Sequence, residues 1–255
     1  MSLSVRDLSC AYKKTPVLKG VTFDAAPGGL LAVLGPNGVG KTTLFRCILG
    51  EQKRYTGTVT IDGANAKLLS ARETAHRVAY IPQTHEGAFR FSVRDMVLMG
   101  TTHTLSPLSA PKAKQEAIAE AAMEKLGMQM IADRFFDTLS GGEQQLVLIA
   151  RALAQQAKIL LMDEPTSSLD YGNQIRVLSA VKQLSGDGYT VLLSTHNPQH
   201  ALWYADRALA LKDGRVAALG PVGEILTPAL LQTLYGVKTD VTETPGGSVI
   251  LPVSK

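Results

Sequence analysis

The sequence predicts an α/β fold: a parallel sheet preceded by antiparallel strands, with a helical insert in the middle third, roughly Ser92 to Gln155. Three observations carry this. The glycine-rich stretch "GPNGVGKT" joins the apolar run "LLAVLG" to a segment of helical character. Two later apolar runs, "KILLMDE" and "YTVLLSTH", each end in polar residues. A run apolar on both faces suits a central parallel strand, and strands alternating with helices suit a parallel sheet.

The elements follow in order. "LSVRDLS" and "VLKGVTF" alternate as half-buried strands, and "APGG" turns the chain before "LLAVLG". Lys41 to Leu49 reads as a helix stopped by Gly50. "GTVTIDG" and "RVAYIPQ" are short strands, the second ending at Gln83. Ser92 with Asp95 forms a capping box for "SVRDMVLMG", and "TLSPLSAP" is a loop with two prolines. Lys112 to Leu126 is helical up to Gly127, and another helix runs from Ser140 to about Gln155. Tyr171 to Leu184 is helical, and "RALALKDGRVAALG" reads as a hairpin around Asp213-Gly214. The tail "ETPGGSVILP" suggests a last hairpin, to which the sequence assigns no role.

The chain has 255 residues, 45% hydrophobic and 19% charged, with a formal net charge of +4. That supports a sizeable core and a globular class. The excess charge is mild and no Lys/Arg stripe occurs, which argues against a nucleic-acid partner. Cys10 and Cys47 stand in unrelated sequence settings, so neither a metal site nor a disulfide is expected, and Cys47 is expected on a helix in the core. No apolar stretch approaches the roughly 18 residues that span a bilayer, and the amino terminus lacks a signal-peptide core. A cytosolic chain is expected, one that serves any membrane through a partner.

The motifs carry the chemistry. In "GPNGVGKTT", Gly35, Pro36, Asn37, Gly38, Val39, Gly40, Lys41, Thr42 and Thr43 form a phosphate-binding loop between strand and helix. Backbone N–H groups and the helix amino terminus face the anion; Lys41 adds a cation, and the Thr42 hydroxyl can ligate Mg²⁺. "ILLMDEP" ends a strand in two acids: Asp163, placed to hold Mg²⁺ through water, and Glu164, placed to polarise an attacking water. Alone, those acids would read better as solvent-facing; following a phosphate loop, the catalytic reading is the stronger. "SGGE" is a capping box, Ser140 with Glu143, yet Gly141 and Gly142 also bare their N–H groups, so a plain cap and an anion site remain open. His196 ends another strand, on the side where α/β ligands bind. Tyr12 is either core or a stacking platform for a base.

Taken in order, "GPNGVGKTT", "YIPQ", "LSGGEQQ", "ILLMDEP", "SSLD" and "STH" make the chain resemble the ATP-binding cassette (ABC) ATPases over most of its length. The resemblance implies a P-loop NTPase (RecA-like) core with an antiparallel β subdomain and a helical subdomain insert. It forms one domain over 1–255, with core and β subdomain at about 1–84 and 156–255 and helices at about 85–155. It implies ATP and Mg²⁺ as cofactors. Tyr12 would stack on adenine. Gln83 would touch Mg²⁺ and the water and sense a partner. Asp163 would serve the metal, Glu164 would be the general base, and His196 would contact the γ phosphate. Ser140, Gly141, Gly142 and Asp170 would face the ATP of a second copy, in a head-to-tail dimer. The expected partners are that copy and polytopic membrane permease subunits with a substrate-binding protein, reached from the cytoplasmic face of the inner membrane.

"FSVRDMVLMG" and "THTLS" look like cassettes of importers for iron chelates, haem, cobalamin and related compounds; those often carry Arg where this chain has Thr101. Two other ABC readings are an exporter or lipoprotein-type system and a soluble ATPase acting on nucleic acid; the latter usually carries two cassettes or a long coiled coil. A small-molecule phosphotransferase would have no use for "LSGGE". Docking to a membrane subunit is expected along Thr84 to Gly100, with Phe89 or Phe91 exposed; Val93 and Met96 fit the insert's own core equally well.

Overall fold

The computed structural model describes residues 2–83, 90–106 and 109–253. The chain opens with an antiparallel pair, β1 (Leu3–Tyr12) and β2 (Thr15–Ala25), then enters β3 (Leu30–Leu34) and α1 (Lys41–Ile48). β4 (Tyr55–Ile61) and β5 (Ala64–Asn65) follow, then α2 (Ala71–Arg77) and β6 (Val78–Ile81). The helices α3 (Val93–Leu98), α4 (Ala113–Lys125) and α5 (Gly141–Ala154) pack on one another. Then come β7 (Ile159–Asp163), α6 (Tyr171–Gly186), β8 (Thr190–Thr195), α7 (Pro198–Tyr204), β9 (Arg207–Lys212) and β10 (Arg215–Pro221). The chain closes with α8 (Val222–Ile225), α9 (Pro228–Tyr235), β11 (Thr239–Thr244) and β12 (Gly247–Pro252).

The strands form a four-stranded sheet in the order β2-β1-β4-β5, a six-stranded sheet in the order β10-β9-β3-β8-β7-β6, and the isolated hairpin β11-β12. In the large sheet only β10 runs antiparallel, at the edge. The fold class is the expected one. β3 shows why its sequence is a continuous apolar run: Leu30, Ala32 and Leu34 face one core, and Leu31 and Val33 face the other. The second core lies between the two sheets and is filled by α1, whose Leu44, Phe45, Cys47 and Ile48 are fully buried. Burying a side chain of this size contributes about 1.5–3 kcal/mol, so α1 is firmly seated behind the loop that precedes it.

Helices α2, α7, α8 and α9 were not expected. Three had readable start signals: Ser70 with Glu73 as a capping box, Asn197 before Pro198, and Thr227 before Pro228. They lack an apolar stripe long enough to show a period. The two cysteines are not in unrelated settings: both lie in the second core as free thiols, and Cys10 Sγ donates to the Arg54 carbonyl at 3.8 Å. Burial, then the neighbouring Cys10, pushes the Cys47 thiol up to about 12, so Cys47 remains a thiol.

Candidate functional site

The sheet register gathers the site. Leu34 of β3 pairs with Thr195 of β8, and Ser194 of β8 pairs with Asp163 of β7. The residues that follow these strand ends are Gly35, His196 and Glu164. Three segments far apart in sequence therefore leave the sheet side by side at its carboxyl edge.

The loop from Gly35 enters α1 through Gly40, the N-cap, with no side-chain cap. Gly40 has φ +112°, and a Cβ there would lie 2.8 Å from Leu18 Cδ2 and 3.1 Å from Val17 Cγ1. Only glycine fits that backbone at that approach to β2. The first N–H groups of α1 are thus left for an anion, with no acid in the first turn to oppose one. Lys41 is only 5% exposed. Its Nζ donates to the Gly35 carbonyl at 2.8 Å and the Pro36 carbonyl at 3.2 Å, and pairs with Glu164 Oε1 at 3.0 Å. Val39 closes the loop from inside, its N–H donating to the Pro36 carbonyl.

Glu164 sits in the left-handed region at φ +47°, where its N–H donates to Ser194 Oγ at 2.9 Å. Its Oε2 accepts from His196 Nδ1 at 2.9 Å, so both oxygens are engaged. Burial alone would push this carboxyl up; Lys41 and then His196 outweigh it and hold it below the usual carboxylate range. His196 is exposed on its other side. Asp163 is buried, and it accepts from Ser194 Oγ at 2.5 Å and Tyr80 Oη at 3.4 Å. Burial, and then that neighbouring charge, push the Tyr80 hydroxyl up.

A cleft of about 390 Å³ opens over the loop, lined by Val17, Asn37, Gly38, Gly40, Lys41, Thr42, Thr43, Gln83 and Glu164. That is a small-molecule size. Gln83 reaches Ser167 Oγ through Nε2 at 3.3 Å. Asp163 is not among the residues that line the cleft. Tyr12 ends β1, partly exposed, with its hydroxyl beside Arg46 of α1.

Ser140, Gly141 and Gly142 do not line this cleft. The cap reading holds in full: Ser140 Oγ and the Glu143 side chain exchange bonds with each other's backbone N–H. Gly142 also has a packing reason to be glycine. A Cβ there would lie 2.2 Å from Asn173 Oδ1, and Asn173 is fixed by Asp170, the cap of α6, through bonds of 2.9 and 2.8 Å. Ser140, Gly141 and Asp170 are exposed. The anion-site alternative therefore concerns a surface separate from the cleft.

Sequence reasoning missed Ser194, Tyr80 and Ser167, which hold Asp163, Glu164 and Gln83 in place. On the insert surface the structure chooses between the alternatives for two residues. Val93 and Met96 are buried, Phe91 is half-buried against the insert's core, and Phe89 lies outside the described residues. Among the described residues an exposed aromatic there is Phe135, 43% exposed, with the Arg90 guanidinium 4.5 Å from its ring centroid. Among the described residues, no helix is long and apolar enough to cross a membrane.

Comparison with known proteins shows the family. A family model described as ABC transporter matches residues 18–167. The chain is 40% identical to an uncharacterized ABC transporter ATP-binding protein of Haemophilus influenzae, over 92% of this chain and 89% of that one. It is 39% identical to the hemin import ATP-binding protein HmuV of Rhodococcus jostii, over 93% of this chain and 81% of that one. Among solved structures, an inward-facing conformation of a transporter classed as metal-chelate type ABC superposes with a TM-score of 0.87 at 32% identity, covering 100% of this chain and 98% of that one.

Proposed function

The chain belongs to the ABC transporter family, and from that premise we propose that it is the ATP-hydrolysing subunit of an importer for a metal chelate such as haem. One observation carries the catalytic part. Glu164 is held at the edge of the phosphate-loop cleft with its two oxygens on Lys41 and His196.

Each residue then has a task. The loop amides and the open amino terminus of α1 bind the phosphates of ATP. Lys41 leaves Glu164 Oε1 for the β and γ phosphates, a charge-assisted contact of the strong kind. That frees Oε1 to accept a proton from the attacking water, while His196 keeps Oε2 fixed and the carboxylate oriented. Mg²⁺ suits the donor set: the Thr42 hydroxyl and Gln83 amide line the cleft, and Asp163, which precedes the cleft residue Glu164, would make contact through water. An ion that favours few protein oxygens plus substrate phosphates fits such a site. When bound, it neutralises charge on the phosphates. Tyr12 would stack on the adenine.

A second copy is the proposed partner across the cleft. Ser140 and Gly141 form an exposed surface at the start of α5, and Asp170 is exposed at the start of α6. Pairing two copies head to tail would place this surface over the partner's phosphates, an isologous arrangement. The importer reading rests on relatives named for hemin import and on a solved neighbour of metal-chelate type. The chain would sit at the cytoplasmic face of the membrane, bound to polytopic permease subunits through the insert beside Gln83, and served by a substrate-binding protein.

The test is reconstitution with the permease subunits that co-purify with the chain. Haem-loaded binding protein should stimulate ATPase activity in vesicles and drive haem uptake. Stimulation by DNA, with no permease captured, would overturn the importer reading.

A further inference from the structure

The C-terminal hairpin, which the sequence leaves without a role, is docked onto one specific helix. Gln199 of α7 uses its whole amide on β12. Its Nε2 donates to the Ser248 carbonyl at 3.1 Å, and its Oε1 accepts from the Ile250 N–H at 2.7 Å. The side chain thereby completes the free edge of β12 as a third strand would. Trp203, one turn on, donates its indole N–H to the same Ser248 carbonyl at 3.1 Å. A lone two-stranded hairpin is marginal in water, and a seven-residue helix is short of independent stability. The inner face of α7 packs on α6, α8 and the large sheet, with Ala201 fully buried, and the hairpin grips its outer side.

Helix α7 begins two residues after His196. Asn197 caps it, accepting from the Gln199 N–H at 2.9 Å, and Pro198 fixes the backbone at its first position. A tilt of α7 is therefore passed to His196 with little slack. The same segment borders Glu164: His196, Asn197 and His200 line a cavity of about 50 Å³ that Glu164 also lines. His200 is 5% exposed.

We propose that the β11-β12 hairpin is a clamp on α7 that sets His196 against Glu164 for hydrolysis, with Gln199 as the positioning residue. This rests on the reading of Glu164 and His196 given above. Among the described residues, none of the hairpin lines the nucleotide cleft, so the clamp should act on turnover and not on ATP binding.

Trp203 is the only tryptophan in the sequence, so its emission reports whether the hairpin is docked. The experiment compares Gln199→Ala, Gln199→Glu and a chain ended after Lys238 with the full-length protein, recording emission, ATP affinity and steady-state ATPase rates. A displaced reacting group costs up to about 100-fold. For Gln199→Ala and the shortened chain we expect red-shifted emission, kcat lowered about 10-fold and an ATP Kd within about twofold of wild type. Gln199→Glu keeps the acceptor for Ile250 and loses only the donor, so its kcat should fall between. Wild-type kcat in the shortened chain with red-shifted emission would overturn the clamp. So would a parallel loss of kcat and ATP affinity, which would make the hairpin part of the fold's general stability. His196→Ala separates the two levels. If it turns over at the wild-type rate, the site reading fails and the clamp with it. If it is slow while the undocked variants are not, the clamp alone fails.

Discussion

Replacing Glu164 with glutamine should tighten nucleotide binding while stopping turnover, and the structure says by how much. The Lys41 ammonium lies 3.0 Å from Glu164 Oε1, with side-chain exposures of 5% and 10%. ATP must draw this cation away. A hydrogen bond to a charged group contributes about 1.5–3 kcal/mol net, and 1.36 kcal/mol is a factor of ten. The Glu164→Gln substitution would keep the shape of the side chain but remove the competing charge. The two loop carbonyls at 2.8 and 3.2 Å would still hold Lys41 in place. Binding of a non-hydrolysable ATP analogue should therefore strengthen by about 10- to 100-fold. Turnover should fall by about 10²–10⁴-fold, the usual worth of a general base. Titration calorimetry with the analogue, on wild type and Glu164→Gln side by side, reads the first effect free of hydrolysis. Equal or weaker analogue binding by the variant would refute the idea that Lys41 is shared between Glu164 and phosphate.

Lys41→Met should remove hydrolysis and also change the acid limb of stability. Lys41 and His196 hold the folded-state pKa of Glu164 below its unfolded value, so this contribution is present above the ordinary carboxylate range and is lost as pH falls through the lowered value. Thermal melts from pH 6 downward should show a shallower acid decline in Lys41→Met; an unchanged slope would contradict the pairing. Gly142→Ala puts a Cβ 2.2 Å from Asn173 Oδ1, and such overpacking should destabilise by about 1–3 kcal/mol in denaturant titrations. A wild-type midpoint would show that Asn173 moves freely despite Asp170. Phe135→Ala should weaken capture of the permease by about tenfold or more, as loss of an aromatic anchor does. Basal ATPase should be unchanged, and pull-down from detergent beside a basal assay measures both.

What the sequence determined is what local chemistry dictates. The glycines of the loop answer to backbone geometry within a few residues, as at Gly40 with φ +112°. The apolar runs of β3, β7 and β8 reflect burial on both faces, and "SGGE" wrote its own capping box. Those signals fixed the α/β class, and the resemblance of the ordered motifs grouped Lys41, Asp163, Glu164 and His196 as one chemical set. Tertiary structure decided how they meet. The Lys41–Glu164 pair joins residues on different elements, and it exists because β3, β7 and β8 leave the sheet in register. Ser194 takes its place under Asp163 for the same reason. The shared core of Cys10 and Cys47, the seat of Gly142 on Asn173 and the grip of Gln199 on β12 likewise bridge elements whose sequences carry no shared period. A helix or strand pattern records which face of an element is buried. It holds no information on which distant residue that face will meet, because the partner is chosen by the packing of whole layers.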